Sequence, residues 1–283
     1  MSGDYLRGLA RSCEPFYAAV TRIAVVLSAG NRMTSGEKPL SDITKEAIRL
    51  LDAAAVRGVP VRLIGGLAVR LHAEGDILPS LRREPKDIDL VTLRGKGNAI
   101  GALIEALGYS PNLEFNHLNG HKRLLYYDLT HSRQVDVFVG AFEMCHVIPI
   151  SDRIDLDARS IPLAELLLTK LQVVRLNEKD QRDIIVILSH HAVGESDNNI
   201  VNAAYVAHLC ARDWGLWRTT KMNLERTREA LPRYALPEDT LKAVIERLAS
   251  LLHQMEAEPK TTRWRLRSRI GDRLPWYEEP DEV

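Results

Sequence analysis

Cysteine is scarce in this chain, net charge is absent, and no long apolar run occurs. Three cysteines stand in 283 residues, Cys13, Cys145 and Cys210. They lie far apart with no Cys-x-x-Cys pair, which excludes a disulfide framework and a thiolate zinc site, and they read as reduced buried thiols. Lysine plus arginine equals aspartate plus glutamate at 38 each. No global field therefore advertises a nucleic-acid partner, although a local basic face would suffice. No stretch approaches the ~20 apolar residues of a membrane span. The apolar patch Ile23–Leu27 follows Arg22, Asp4 and Glu14 and makes a poor signal peptide. The expectation is a cytoplasmic protein with no membrane role. No internal repeat or low-complexity segment is visible.

The remaining composition, 45% hydrophobic and 27% charged, is that of a soluble globular chain, long enough for one large or two ordinary domains. The informative residues lie between Gly65 and Asp136. A short apolar strand runs into Gly65-Gly66. A second strand carries Lys86-Asp87-Ile88-Asp89-Leu90-Val91, and a third carries Gln134-Val135-Asp136-Val137-Phe138-Val139. Strand residues two apart share a face, so Asp87 and Asp89 project together, away from Ile88 and Leu90. Clustered carboxylates repel and are costly to bury uncompensated. A hard divalent cation with oxygen ligands relieves that repulsion. Two glycines let the backbone approach a ligand closely, and the helix they open offers free N–H groups to a phosphate.

This pattern resembles the nucleotidyltransferases of the DNA polymerase beta superfamily. It looks most like the AbiEii/AbiGii-type toxin nucleotidyltransferases. Residues 40–195 carry the resemblance, which a second block extends: Lys170 on an apolar helix, then Arg175, then Lys179-Asp180-Gln181-Arg182-Asp183. The resemblance implies that Asp87, Asp89 and Asp136 hold one or two Mg²⁺ ions and that Asp136 helps deprotonate the acceptor. Lys170 would contact the nucleotide phosphates and share catalysis with the three aspartates. The residues expected at the nucleotide are Gly65, Gly66, Arg82, Lys86, Lys170 and Asp183. Many superfamily members place Ser or Thr at or just after the second glycine; here the residue is Leu67.

Other readings stand beside these. Arg82, Arg83 and Lys86 also suit an ordinary exposed loop, and Lys170 a solvated helix face. His190 and His191 are adjacent on a helix, point in different directions and do not form a metal pair. The stretch Lys260–Arg273 interleaves basic residues with Trp264 and suits either an RNA backbone or a solvated helix face with Trp264, Leu266 and Ile270 tucked inward.

The coarse reading is an α+β fold: a small mixed nucleotidyltransferase sheet flanked by helices, then a helical C-terminal lobe. Residues 1–40 form a helical segment, with a helix over 4–28; 41–160 form the core and 161–283 the helical domain. Helices are expected over 162–178, 180–193, 199–212, 214–230 and 237–258. The resemblance implies Mg²⁺-dependent transfer of a nucleoside monophosphate from an NTP to an acceptor hydroxyl. Its leading acceptor is RNA, at the tRNA 3′ end, with the protein as a toxin neutralised by an antitoxin protein. The alternatives are a small-molecule acceptor such as an antibiotic, and a degenerate member that binds nucleotide without transfer.

Overall fold

The computed structural model describes residues 38–73 and 75–279. The helix expected over 4–28, and Cys13, lie outside them. The first described helix, α1 (Ile43–Val56), starts where the Asp42 carboxylate accepts the backbone N–H groups of Thr44 and Lys45 at 2.9 and 3.0 Å. That pairing satisfies donors left open at any helix start. Ala47, Leu50, Leu51 and Ala54 are buried as the period requires, but Ala53 completes the stripe, and Ala55 is exposed.

Next come β1 (Val61–Leu63), α2 (Gly65–His72) and, after a loop, β2 (Ile88–Thr92). α3 (Gly97–Ala106), β3 (Ser110–Pro111), α4 (Leu113–Asn119), β4 (Arg123–Asp128) and β5 (Arg133–Val139) follow. The five strands form one mixed sheet in the order β1-β2-β5-β4-β3. Only β2 and β5 run parallel, and the excursion through α3 supplies the crossover that a parallel pair needs. Their register sets Asp89 directly opposite Asp136. Ile88, Leu90, Val135 and Val137 are fully buried, which fixes that register, because a one-residue slip of either strand would turn its aspartate into the core.

A hairpin of β6 (Ala141–Glu143) and β7 (Val147–Pro149) and a parallel pair, β8 (Val193–Gly194) with β9 (Val201–Asn202), are too short for alternation to reveal them in sequence. The helical lobe comprises α5 (Leu163–Leu171), α6 (Glu178–His190), α7 (Ala203–Arg212), α8 (Trp214–Ala230), α9 (Glu238–Ala257) and α10 (Thr262–Ile270). Every residue of α5 is buried, and it packs on α2, β7, β9, α6, α7 and α8. It ends at Leu171, well short of the expected 178. The buried Asn223 amide donates to the carbonyls of Leu171 at 2.8 Å and Val173 at 2.7 Å, and Asn177 caps the next helix by accepting the Asp180 N–H at 2.9 Å. Side chains therefore satisfy backbone groups that a continuous helix would have paired.

Cys145 and Cys210 are buried free thiols, as their spacing implies. His191 is buried and contacts the His72 carbonyl through Nε2 at 3.0 Å, a structural role. Among the described residues no helix is long and apolar enough to cross a membrane.

Candidate active site

Gly65 opens α2 with φ at +68°, a conformation that L side chains rarely adopt. The Ile64 N–H donates to the Asp89 carbonyl at 3.0 Å, drawing the turn against β2. The approach is so close that a β-carbon on Gly65 would sit 2.0 Å from Asp89 Oδ2, and one on Gly66 would sit 2.2 Å from Arg83 Nη2. One glycine therefore makes room for a carboxylate and the other for a guanidinium. Leu67 is a core residue, so α2 offers only backbone N–H groups from its first turn. Leu67, Ala68 and Val69 form the buried face of α2, and Leu71 is exposed.

The three expected aspartates lie in different settings. Asp87 is exposed just before β2, and Asp89 is partly buried on it. Burial, and then the neighbouring Asp136, push the Asp89 carboxyl up to about 7, with Asp87 adding to the effect. Asp136 is buried and held on both oxygens by Arg123, with Nε to Oδ1 at 2.8 Å and Nη2 to Oδ2. The Arg123 guanidinium lies between the rings of Phe115 and Phe138, 5.7 and 5.1 Å from their centroids. Among the described residues no group of three or more His, Cys, Asp or Glu side chains is gathered to hold a metal ion. Arg123 explains this: its fork engages the carboxylate expected as the third ligand.

A second cluster faces the first. Lys170, buried in α5, reaches Asp180 at 3.1 Å and Asp183 at 3.0 Å. Burial works against its charge, but Asp183, Asp180 and Asp89 more than offset this and hold its pKa above the ordinary value. Arg83 grips Asp183 on both oxygens, with Nε to Oδ1 at 2.7 Å. The solvated reading of Lys170 is thus overturned. Asp183, expected at the nucleotide, pairs with both cations. Arg83, not Arg82, reaches over Gly66; Arg82 is exposed, donates to the Ile77 carbonyl at 3.3 Å, and lines a cavity of about 350 Å³ with Arg70 and Arg83. Lys86 is exposed on the same loop. Sequence reasoning missed Arg123 altogether.

Five carboxylates (Asp87, Asp89, Asp136, Asp180 and Asp183) meet three cations (Arg83, Arg123 and Lys170), leaving two formal negative charges beside a helix N-terminus. The carboxylates that no cation grips supply the hard oxygen donors a divalent cation prefers. With Asp136 engaged by Arg123, Asp87 and Asp89 are the residues that would hold it.

The crowding at the glycines gives a graded expectation. Gly65→Ala forces a β-carbon into the Asp89 carboxylate at a positive φ and should cost about 1–3 kcal/mol. Gly66→Ala adds no positive-φ strain and meets only the end of a side chain, Arg83, so it should cost less. Thermal melts of the two variants check the order, and equal losses would show that the contact with Asp89 is not the constraint.

No protein-family model matches the chain, and no curated protein does. Solved structures give loose matches. The antibiotic-resistance factor ANT(2'')-Ia overlaps 77% of this chain and all of its own, at 13% identity and a TM-score of 0.34. An antigenic nucleotidyltransferase-like protein from Paracoccidioides brasiliensis overlaps 81% of this chain and 98% of its own, at 13% identity and a TM-score of 0.39. The apo form of a tRNA-processing enzyme overlaps 85% of this chain and 61% of its own, at 14% identity and a TM-score of 0.29. With superpositions this loose, what the site does is read from its own side chains.

Proposed function

We propose that this protein is a Mg²⁺-dependent nucleotidyltransferase that moves a nucleoside monophosphate from an NTP to an acceptor hydroxyl. One observation carries the reading: Asp89 and Asp136 lie opposite each other on parallel strands, against a Gly-Gly turn that opens a helix and is covered by a guanidinium. The divalent cation, when bound, supplies neutralising charge for the triphosphate. The chain's own groups do the rest. The N–H groups of α2 and the Arg83 guanidinium receive phosphate oxygens. Lys170, fixed by Asp180 and Asp183, adds positive charge near Asp89. The acceptor oxygen bonds to the α-phosphorus as the bond to the β-phosphate oxygen breaks; pyrophosphate leaves with that electron pair. The hydroxyl proton passes to the Asp89–Asp136 carboxylate pair. Positioning and charge neutralisation supply most of the catalysis in such chemistry.

The motif resemblance supports RNA, at the tRNA 3′ end, as acceptor, and a toxin role answered by an antitoxin protein. A second reading has its own observation: Arg123 engages both oxygens of Asp136, the arrangement expected if nucleotide is bound without transfer. The test incubates the protein with Mg²⁺, each α-labelled NTP and total tRNA, with Asp89→Ala as control. Label in tRNA with the intact protein alone is the expected result. Mg²⁺–NTP raising the melting temperature with no pyrophosphate released from the NTP, whatever the acceptor, would favour the non-transferring reading, and label in an aminoglycoside instead of tRNA would move the acceptor to a small molecule.

A further inference from the structure

Trp214, Trp264, Trp276 and Tyr277 share the wall of a cavity of about 410 Å³ at the end of the helical lobe, a volume suited to a small-molecule-sized group. The aromatics are held in place. Trp264 stands edge-on to Trp217 with centroids 5.2 Å apart, and Trp276 donates its Nε1–H to Thr219 Oγ1 at 3.1 Å. The chain bearing Trp276 crosses the lobe so closely that a β-carbon on Gly215 would lie 2.3 Å from the Trp276 carbonyl. It then pairs with the β6–β7 turn through the Glu278 N–H and the Cys145 carbonyl at 3.1 Å. Trp214 is buried, whereas Trp264, Trp276 and Tyr277 keep part of their surface open. Trp264 Nε1–H is buried without a hydrogen-bond partner.

Charge completes the picture. Arg212 and Arg263 line the cavity, are exposed, and form no ion pair among the described residues. Arg267 braces the wall itself, stacking 4.5 Å over Trp214 and donating to the carbonyls of Gly271, Leu274 and Pro275. Of the acidic residues at the wall, Asp213 is engaged in capping α8 by accepting the Leu216 N–H at 3.1 Å, and Glu278 is exposed at the edge shared with a neighbouring recess. Flat ring faces beside two arginines without ion-pair partners suit a ligand with a base and a phosphate. They disfavour a polycationic antibiotic.

The cavity also points toward the chemistry. Met144 and Glu278 are shared with a smaller recess lined by Phe115, Phe138 and Arg123, and Arg123 grips Asp136. We infer that this aromatic cavity is the acceptor subsite, taking the single-stranded 3′ end of a nucleic acid whose terminal hydroxyl reaches Asp136 past Arg123. Bases stack on Trp264 and Trp276, and backbone phosphates meet Arg212 and Arg263. This assignment rests on the nucleotidyl-transfer reading for its chemistry but not for its binding.

All four tryptophans of the chain, Trp214, Trp217, Trp264 and Trp276, line the cavity or touch a residue that does. Tryptophan fluorescence of the full chain, titrated in EDTA with a six-nucleotide single-stranded oligoribonucleotide, therefore reads this site without catalysis. Expected is saturable quenching that ATP alone does not produce. In the double variant Arg212→Ala/Arg263→Ala, affinity should fall at least tenfold, and the log–log salt slope by about 1.4, the loss of two phosphate contacts on a single strand. Both side chains are exposed, so the variant should fold. The Mg²⁺–NTP melting shift, measured in parallel, reports the Gly65–Asp89 site. No quenching, or quenching indifferent to the two arginines, in a protein that keeps that shift would overturn the acceptor subsite and leave nucleotidyl transfer standing. Arginine-dependent quenching without any Mg²⁺–NTP shift would support the cavity and sink the transfer reading. Equal quenching by ATP, or quenching by an aminoglycoside and not by RNA, would overturn it too.

Discussion

Asp89→Asn should abolish transfer and, in the same protein, raise the melting temperature of the metal-free chain. Both effects come from one carboxylate. Burial and the adjacent Asp136 push its pKa up to about 7, so folding penalises its ionised form. The sign follows from proton counting: between the ordinary aspartate value and about 7 the native state binds more protons than the unfolded state, so this group's contribution falls as pH rises through that window. Above pH 7 the penalty is complete. Asparagine keeps the shape and removes the charge. The partial exposure of Asp89 lets solvent screen it, so the gain at pH 8 should be about 1–2 kcal/mol, and it should fade toward pH 5, where the native aspartate is already protonated. At roughly 2–4 °C per kcal/mol for a chain of this size, melts in EDTA resolve it. Activity should fall at least about 10²–10³-fold, as when a preorganised charge is removed from a phosphoryl or acyl transfer site. Asp87→Asn is the contrast: exposed, it should move stability by no more than about 0.5 kcal/mol while still lowering activity. A melting temperature that drops in Asp89→Asn would mean that this carboxylate is already well paired.

Much of this centre was legible because its signals are local. Asp87 and Asp89 share a face through strand periodicity alone, and Val135 and Val137 flank Asp136 on the buried face of β5. The Gly-Gly turn needs only the left-handed φ of Gly65 to be recognised. The cations were harder. Arg83 meets Asp183 across 100 positions, and nothing local separates it from Arg82 or Lys86; only the packing of α6 near α2 decides which residue turns in. Arg123 had a fainter signal. Once the β4–β5 hairpin is closed at Asp128 and Arg133, Asp136 pairs with Leu125, and Arg123 lies on the diagonal two residues away, within reach of a long side chain. Lys170 was visible on an apolar helix, but its two partners depend on the break after Leu171, which Asn223 imposes from a helix fifty residues on. In the basic stretch near the C-terminus, Trp264 is partly buried as expected, whereas Leu266 and Ile270 are exposed, because α10 packs only lightly and has no buried residue.

The second large effect belongs to a residue with no direct part in the chemistry. Asp183→Ala should lower stability by about 3–5 kcal/mol, the usual result of removing one member of a buried ion pair, and the melting temperature by roughly 10 °C. Its carboxylate, on a side chain only 5% exposed, accepts both arms of Arg83 and the ammonium of Lys170. Without it, Arg83 has no ion-pair partner among the described residues, and Lys170 keeps only Asp180. Asp180→Ala is the contrast: its carboxylate is more exposed and serves one cation, so its loss should cost about 1 kcal/mol. If the large penalty comes from stranded positive charge, Asp183→Ala/Arg83→Leu should be more stable than the sum of the single variants allows, with a coupling of about 2 kcal/mol. Additive losses would assign the effect to packing instead. Function separates the two cations further. Arg83 covers Gly66 only while Asp183 holds it, so Asp183→Ala should lose the Mg²⁺–NTP melting shift, whereas Asp180→Ala should keep it. The two negative charges left over at this site thus sit beside two cations that one further carboxylate, Asp183, keeps in place.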